Sequence, residues 1–328
     1  MKLSKNCGYL FLILLIFVIP AFIKSEYYLH ILILSVINII LASSVRAIAI
    51  TGQVSMGHAG FKCIGAYTSA IIAMKVGISP YLSIFIGGLA ALVVAGIIAY
   101  PITRVKTVYF SMLTMFFGIV VTLVTSEWRS LTGGTTGIMD IPCFGTITAL
   151  GIVIDFNSKL PNLYFALILM VAALVFLYGL DRSYTGMTLK AISQDESLAA
   201  SVGINVARSK AIIFCIGCFI AGLAGSFYAH YWGILNPDSF GLFHSIYLLI
   251  YMIVGGTDRF VGAVIGAFVL TLLPEVSRVF QEYQPLVFVA VLYLVVFLLP
   301  RGMVDLPERM KPLIRKFSLE RAKLNAGS

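Results

Sequence analysis

Histidine and cysteine are the residues best suited to metal binding or nucleophilic chemistry, and their spacing in this chain argues against both. The four histidines, at positions 30, 58, 230 and 244, are far apart and form no HExxH-type ligand motif. The five cysteines, at positions 7, 63, 143, 215 and 218, give neither a disulfide framework nor paired zinc-site spacing. Cys215 and Cys218 have redox-like spacing, but no base lies beside them to form a thiolate. The sequence also contains no GxxxxGK[ST] phosphate loop and no GxSxG nucleophile motif. We therefore expect no catalytic residue, metal or cofactor in this chain.

Ionisable residues inside apolar runs are few in the first third of the chain. They are His30, Arg46, His58 and Lys62. Several such residues in register would mark a proton or ion path, because charged groups are costly inside a membrane. No carboxylate within a neighbouring run is an obvious partner for any of them. This disfavours a proton-coupled carrier, and the energy of a pump would have to come from another subunit.

A glycine-rich polar run occupies residues 51–67, TGQVSMGHAGFKCIGAY. Irregular backbone at membrane depth is tolerated only where it faces protein or water. Gln53, Ser55 and His58 therefore either line a polar passage or hydrogen-bond to a neighbouring helix, and both interpretations stay open. The candidate passage residues are Gly52, Gln53, Ser55, Gly57, His58 and Lys62.

A second polar run, residues 190–205, lies between two apolar runs. Ser193 and Glu196 have the spacing of a capping box, and Gly203 is suited to ending a helix. Leu198 and Val202 lie four residues apart, on one face of such a helix. The pattern predicts a short helix at the membrane face. Such a helix can dock in a groove of a soluble partner, but the pattern alone favours a plain amphipathic surface helix.

The composition identifies the elements that carry these runs. Of the 328 residues, 60% are hydrophobic and only 11% are charged, whereas a soluble domain has about 25% charged residues. The mean hydropathy is +1.00 over the whole chain. We therefore predict an all-α integral membrane protein with about ten transmembrane helices, some of them short or broken. The predicted spans are 7–23, 27–48, 53–75, 81–100, 107–126, 162–180, 210–232, 243–256, 260–276 and 284–300.

Three of the predicted spans are irregular. The 53–75 span begins among glycines and is expected to start as a broken or re-entrant segment. The pair 243–256 and 260–276 is short and is separated by a glycine turn at 255–259, so these are either two spans or two half-helices. The first run could instead be a signal peptide, but Pro20-Ala21-Phe22 offers no small-residue cleavage site, and an uncleaved helix is expected.

The basic residues predict the orientation of the chain. With ten crossings, 17 of the 23 lysines and arginines lie on the side of the termini. Because short cytoplasmic loops are enriched in lysine and arginine, both termini are predicted to be cytoplasmic. Residues 1–300 then form one membrane domain with an external loop at 127–161 and an internal loop at 181–209. Residues 301–328 form a basic cytoplasmic tail.

Small residues at regular spacing predict close helix contacts. Gly217, Ala221 and Gly225 recur every four residues, and Gly262 and Gly266 form a GxxxG motif.

A set of motifs, taken in order, resembles the permease subunits of branched-chain amino acid ABC importers. The motifs are the Gly52-Gln53 to Tyr67 run, LTGGTTGI at 131–138, Asp195-Glu196 to Gly203-Ile204-Asn205, AGLAGSFYAHY at 221–231, NPDSF at 236–240, Gly255-Gly256 and GAVIGA at 262–267. The similarity spans about residues 30–275. The Thr-Gly-Gly-Thr-x-Gly loop is more similar to the LivM type than to the LivH type. Lys62 and Cys63 depart from the family pattern, where apolar residues are more usual, so Lys62 must snorkel, pair or face the passage.

The resemblance implies a function and a set of partners. The chain would be a permease of the bacterial inner membrane that forms a translocation pathway with a second homologous permease. Two ATP-binding subunits would hold ATP and magnesium, and an external binding protein would deliver branched-chain amino acids. The 190–205 segment would be the coupling segment, and the matching positions are Asp195, Glu196, Ala199, Ala200 and Gly203. Urea or short-chain amides are alternative substrates, and a stand-alone secondary carrier is a further alternative.

Overall fold

Helices account for nearly all of the regular structure, as the apolar composition predicts. The computed structural model describes residues 17–23, 25–149, 152–154, 156, 158–278 and 302–305, together with 283, 286, 289, 290, 292, 293 and 297. The predicted first span at 7–23, last span at 284–300 and basic tail at 301–328 lie wholly or largely outside these residues.

The long helices match the predicted spans within a few residues. The α-helices in the described part of the chain are α1 Glu26–Ala49, α2 His58–Val76, α3 Pro80–Ile102, α4 Thr107–Glu127, α5 Arg129–Thr132, α6 Lys159–Arg182, α7 Tyr184–Gln194, α8 Glu196–Ser201, α9 Val206–Trp232, α10 Leu242–Gly255 and α11 Phe260–Ser277. Seven of them are long and apolar enough to cross a membrane, namely α1, α3, α4, α6, α9, α11 and α10 taken with its preceding turn. The prediction of an all-α, multi-pass membrane protein is confirmed.

A small β-hairpin was not predicted. Residues Ile147–Ala149 (β1) and Ile152–Ile154 (β2) form a small antiparallel hairpin in which Ile147 is opposite Ile154. The signal was present, because two short runs of mostly β-branched residues, Ile147-Thr148-Ala149 and Ile152-Val153-Ile154, flank Leu150-Gly151 in the sequence. It was overlooked among much longer apolar runs.

Helix α1 is central and helix α4 is peripheral. Of the most apolar stretch of each helix, 83% is buried in α1 but only 17% in α4. Helix α9 packs against α1, α2 and α3, while α6 and α11 pack against α1. The exposed apolar side chains of α4 are those expected of a helix that faces lipid or another membrane subunit.

The small residues singled out in the sequence lie where neighbouring chain segments approach closely. A Cβ atom added to Gly225 would lie 2.0 Å from the carbonyl oxygen of Lys62 in α2, and one on Gly217 would lie 2.8 Å from Ile48 in α1. Ala221, between them, is fully buried. In the other pair, a Cβ on Gly262 would lie 1.9 Å from the oxygen of Gly256, and one on Gly266 would lie 2.0 Å from the oxygen of Tyr251. At Gly225, Gly262 and Gly266 the neighbouring atom is backbone, and only glycine permits so close an approach there, whereas at Gly217 the neighbour is the side chain of Ile48.

The two irregular regions are both resolved by the structure. Residues 50–57 are non-helical, and α2 begins only at His58, so the 53–75 span does start as a broken segment. Helices α10 and α11 are two separate helices joined by the turn at 256–259 and held together through Gly255, Gly262 and Gly266. Helix α10 has 14 residues and is about 21 Å long, less than the roughly 30 Å hydrocarbon core of a membrane.

The loops gather at two opposite ends of the bundle. At one end, Pro142 accepts a hydrogen bond from His230 in the last turn of α9, and Ile138 forms a bridge with Leu235 in the loop after α9. At the other end, the 50–57 segment, the turn at 256–259 and the 183–205 region lie together. This separates the two predicted loops as expected, and the assignment of the second end to the cytoplasm stays a prediction.

Candidate functional site

A sharp corner joins membrane helix α6 to surface helix α7. The side chain of Ser183 caps α7 by accepting a hydrogen bond from the backbone N–H of Gly186 at 3.3 Å. A Cβ atom on Gly186 would lie 2.4 Å from the carbonyl oxygens of Leu180 and Asp181. Because backbone atoms of α6 fill the space beside Gly186, the first turn of α7 packs directly against the end of α6.

Asp195 begins the second surface helix, α8. Its Oδ1 accepts hydrogen bonds from the backbone N–H groups of Ser197 and Leu198, at 2.8 and 3.0 Å, and from the Ser197 hydroxyl at 2.6 Å. These hydrogen bonds lower the pKa of the Asp195 carboxyl, the Ser197 hydroxyl having the largest effect. The predicted capping box at Ser193 and Glu196 is therefore wrong. Ser193 is still inside α7 and bonds the oxygen of Lys190, because the chain breaks at Asp195 and an aspartate is as strong a cap as serine.

Gly203 terminates α8, as the sequence predicts. Its φ of +87° lies in the left-handed region that favours glycine. The N–H of Gly203 bonds the oxygen of Ala200, and the N–H of Ile204 bonds that of Ala199. This double closure is a Schellman motif, which satisfies carbonyls that the end of a helix otherwise leaves free.

The two surface helices bury one face and expose another. Leu189 and Ile192 of α7 and Ala199 of α8 are buried against the bundle. Large apolar side chains on the other face remain exposed, namely Tyr184, Met187, Leu198 and, just after α8, Val202. Ala200 is also exposed. Apolar side chains exposed together on a polar segment indicate a surface that another protein covers.

An ion pair attaches α8 to the start of α9. Glu196 Oε1 lies 2.5 Å from the Nζ atom of Lys210, whose side chain is only 1% exposed. A lysine buried to this degree needs a partner, because an unpaired buried charge is strongly unfavourable. Glu196, named from the resemblance, thus has a definite structural partner that the sequence did not reveal.

A second group of charges attaches α7 to the bundle. Lys190 Nζ lies 2.7 Å from Asp181 Oδ1, and Arg46 Nη2 lies 3.6 Å from Asp181 Oδ2. Arg46 also donates from Nε to the oxygen of Thr257 at 3.0 Å. The expectation that Arg46 has no carboxylate partner is therefore wrong. Asp181 lies at the end of α6, just beyond the apolar run in which a partner was sought.

The candidate passage residues are mostly enclosed by protein. Gln53 donates to the oxygen of Thr103 at 3.5 Å, and His58 Nε2 lies 2.7 Å from Ser44 Oγ. Gly57 packs against Thr114, where a Cβ would lie 1.8 Å from a carbonyl oxygen. This favours the packing interpretation for the state described here.

Two observations keep the passage interpretation open. Ser55 Oγ and His58 Nδ1 are buried without a hydrogen-bond partner in the described residues. Leaving such atoms unsatisfied costs free energy that contact with water would restore. Gly52 is exposed, and a Cβ on it would lie 3.6 Å from Ser193, so the broken segment adjoins α7 directly.

Lys62 neither snorkels nor faces an open passage. Its side chain is buried, with Nζ 3.1 Å from His244 Nε2 and 4.4 and 5.2 Å from the ring centres of Tyr228 and Phe240. Of the three possibilities raised by the sequence, the observed one is pairing, with His244 as the partner of Lys62. The aromatic faces and the histidine acceptor hold its ammonium group within the bundle.

The comparisons with known proteins agree with this architecture. The family model described as "Branched-chain amino acid transport system / permease component" matches residues 27–299. The chain belongs to this family. It is 29% identical to the LivM permease protein of the high-affinity branched-chain amino acid transport system of Escherichia coli (strain K12), covering 90% of this chain and 75% of that protein. It is 26% identical to the LivH permease protein of the same strain, covering 79% and 88%, and 26% identical to the ribose import permease RbsC of Bacillus subtilis (strain 168), covering 82% of each. The resemblance found in the motifs is confirmed, including the greater similarity to the LivM type.

Proposed function

We propose that this chain is a permease subunit of an ATP-driven importer of branched-chain amino acids in a bacterial inner membrane. Membership of the family, with LivM and LivH as relatives, is the observation that carries the proposal. Because the family model and both the LivM and LivH relatives are named for branched-chain amino acid transport, these solutes are favoured over urea or short-chain amides. As a permease component, the chain forms part of a translocation pathway and leaves ATP hydrolysis to partner subunits.

The 183–205 region is the surface proposed to meet the ATP-binding subunits. It exposes the apolar side chains of Leu198 and Val202, which a soluble partner can cover. It is joined to the membrane helices by the corner at Gly186 and by the Glu196–Lys210 pair. Movement of a docked ATP-binding subunit therefore reaches the bundle through stiff connections. The pathway would open between this chain and a second, homologous permease.

Isolation of the assembly tests this proposal. The tagged chain, co-expressed with its genomic neighbours and purified in mild detergent, should retain a second permease and ATP-binding subunits with measurable ATPase activity. Leucine together with its external binding protein should stimulate that activity in lipid. A chain that purifies alone from this co-expression, without ATPase activity, would contradict the proposal and favour a secondary carrier.

A pair of substitutions tests the docking surface. Leu198→Asp with Val202→Asp should release the ATP-binding subunits, since each carboxylate would have to be desolvated in the interface. Met139→Asp is the matched control, because Met139 is also an exposed apolar residue but lies at the opposite end. Retention of the ATP-binding subunits by the double variant would show that they dock elsewhere.

A further inference from the structure

The ion pair between Arg46 and Asp181 joins parts of the chain that are distant in sequence. Arg46 lies near the end of central helix α1, and Asp181 lies near the end of α6. Their side chains are 3% and 11% exposed, respectively, whereas that of Lys190 in α7, which also contacts Asp181, is 50% exposed. The three residues thus run from the surface segment into the interior.

Arg46 extends these contacts to a fourth element. Its Nε atom donates to the oxygen of Thr257, in the turn that joins α10 to α11, and its guanidinium lies 5.5 Å from the ring centre of Phe260 at the start of α11. One arginine therefore links the end of α1, the end of α6 and the α10–α11 turn. Helix α1 is the most enclosed membrane helix, so a movement at Arg46 affects the packing of the whole bundle.

We propose that Arg46 and Asp181 are positioning residues that carry movement of α7 to α1 and to the α10–α11 turn. The proposal rests on the proposed function, in which ATP-binding subunits move the surface segment. Lys190 and the Gly186 corner tie α7 to the end of α6, and Asp181 passes the displacement to Arg46. The Glu196–Lys210 pair attaches α8 to α9 separately, so loss of the Arg46–Asp181 pair would leave the docking surface attached to the bundle.

The test separates transmission from simple stabilisation. Asp181→Asn leaves the Arg46 guanidinium buried without its carboxylate, and Arg46→Met leaves Asp181 with Lys190 alone. Breaking a buried pair from one side is strongly unfavourable, whereas replacement of both charges by apolar residues is often tolerated. The double variant Arg46→Met with Asp181→Leu should therefore assemble and melt like the wild-type complex. Its leucine uptake per ATP hydrolysed should still fall by about tenfold, within the roughly 5- to 150-fold range of coupling between sites.

A second ion pair, which is more exposed, supplies a control for position in the bundle. Glu26 and Lys159, 3.5 Å apart, lie at the opposite end, away from α7 and α8. Glu26→Gln with Lys159→Met should leave uptake per ATP unchanged. Asp181→Glu, which keeps the charge, should recover most of the coupling that Asp181→Asn loses.

The outcomes distinguish the two levels of the account. Normal uptake per ATP in the Arg46→Met, Asp181→Leu double variant, beside an active wild-type complex, would show that the pair only stabilises the fold and would overturn this inference. Failure of the wild-type complex itself to couple uptake to ATP would refute the proposed function and, with it, this inference.

Discussion

Gly225 provides a direct steric test of the packing of α9 against α2. A Cβ added there would lie 2.0 Å from the Lys62 oxygen, 2.8 Å from its carbonyl carbon and 3.0 Å from its Cα, all backbone atoms of α2. Real Cβ atoms essentially never approach closer than 3.0 Å, so Gly225→Ala must separate α9 from α2 by about 1 Å. A gap of that size removes about a quarter to a half of the dispersion attraction across the contact.

The expected cost is at the upper end of that for overpacking, about 3 kcal/mol, because the clash is with backbone and is relieved only by moving two packed helices apart. Because each kcal/mol of lost stability lowers the midpoint of thermal unfolding by roughly 2–4 °C, the midpoint in detergent should fall by about 6 °C or more. Gly96→Ala is the matched control, since Gly96 is also in a membrane helix but a Cβ there meets nothing within 4 Å. The assay is loss of the monodisperse chromatographic peak on heating. Equal midpoints for the Gly225→Ala variant and wild type would refute the close α2–α9 contact.

Three further predictions concern the polar residues. Asp195→Ala should speed hydrogen exchange in the first turn of α8. Because hydrogen bonds depress the pKa of Asp195, the cap is fully present above the ordinary value of 3.8 and is lost as pH falls through the depressed pKa. Exchange that acid leaves unchanged in this turn would contradict the capping role. Lys62→Met should alter stability by less than about 1.5 kcal/mol, whereas Lys62→Glu should cost about 3–5 kcal/mol by placing a carboxylate against aromatic faces. Equal melting temperatures of the two variants would exclude an aromatic environment around residue 62. In a cysteine-free background, Ser55→Cys should react with a polar maleimide only during turnover. Ser226→Cys is the control and should stay protected, because Ser226 is equally buried but its native hydroxyl is hydrogen-bonded. Labelling of both variants or of neither would argue against a passage role for Ser55.

Much of the fold could be predicted because membrane helices are specified locally. Apolar length fixed the spans, and the spacing of Gly217, Ala221 and Gly225 indicated the contact face of α9, since small residues matter most where helices touch. Gly203 was also predictable, because a helix end is determined by a few adjacent residues. Each of these signals lies within one or two helical turns of the feature that it specifies.

The contacts that define the candidate site depend on residues far apart in sequence. Lys62 meets His244, and Arg46 meets Asp181, only after the helices have packed. No periodicity along the chain encodes such pairs. The prediction of the cap of α8 failed for a different reason. Ser193 and Asp195 are both competent caps, and which of them begins α8 depends on where α7 ends. The hairpin was missed although two runs rich in β-branched residues flank a glycine there.

ATP-dependent uptake in reconstituted liposomes tests the central claim most directly. The complete assembly, with ATP on the side of the 183–205 region and the external binding protein with labelled leucine on the other, should accumulate leucine against its gradient. Accumulation should require both ATP and the binding protein and should stop in the Leu198→Asp, Val202→Asp variant. Leucine accumulation driven by an ion gradient without ATP would contradict the account.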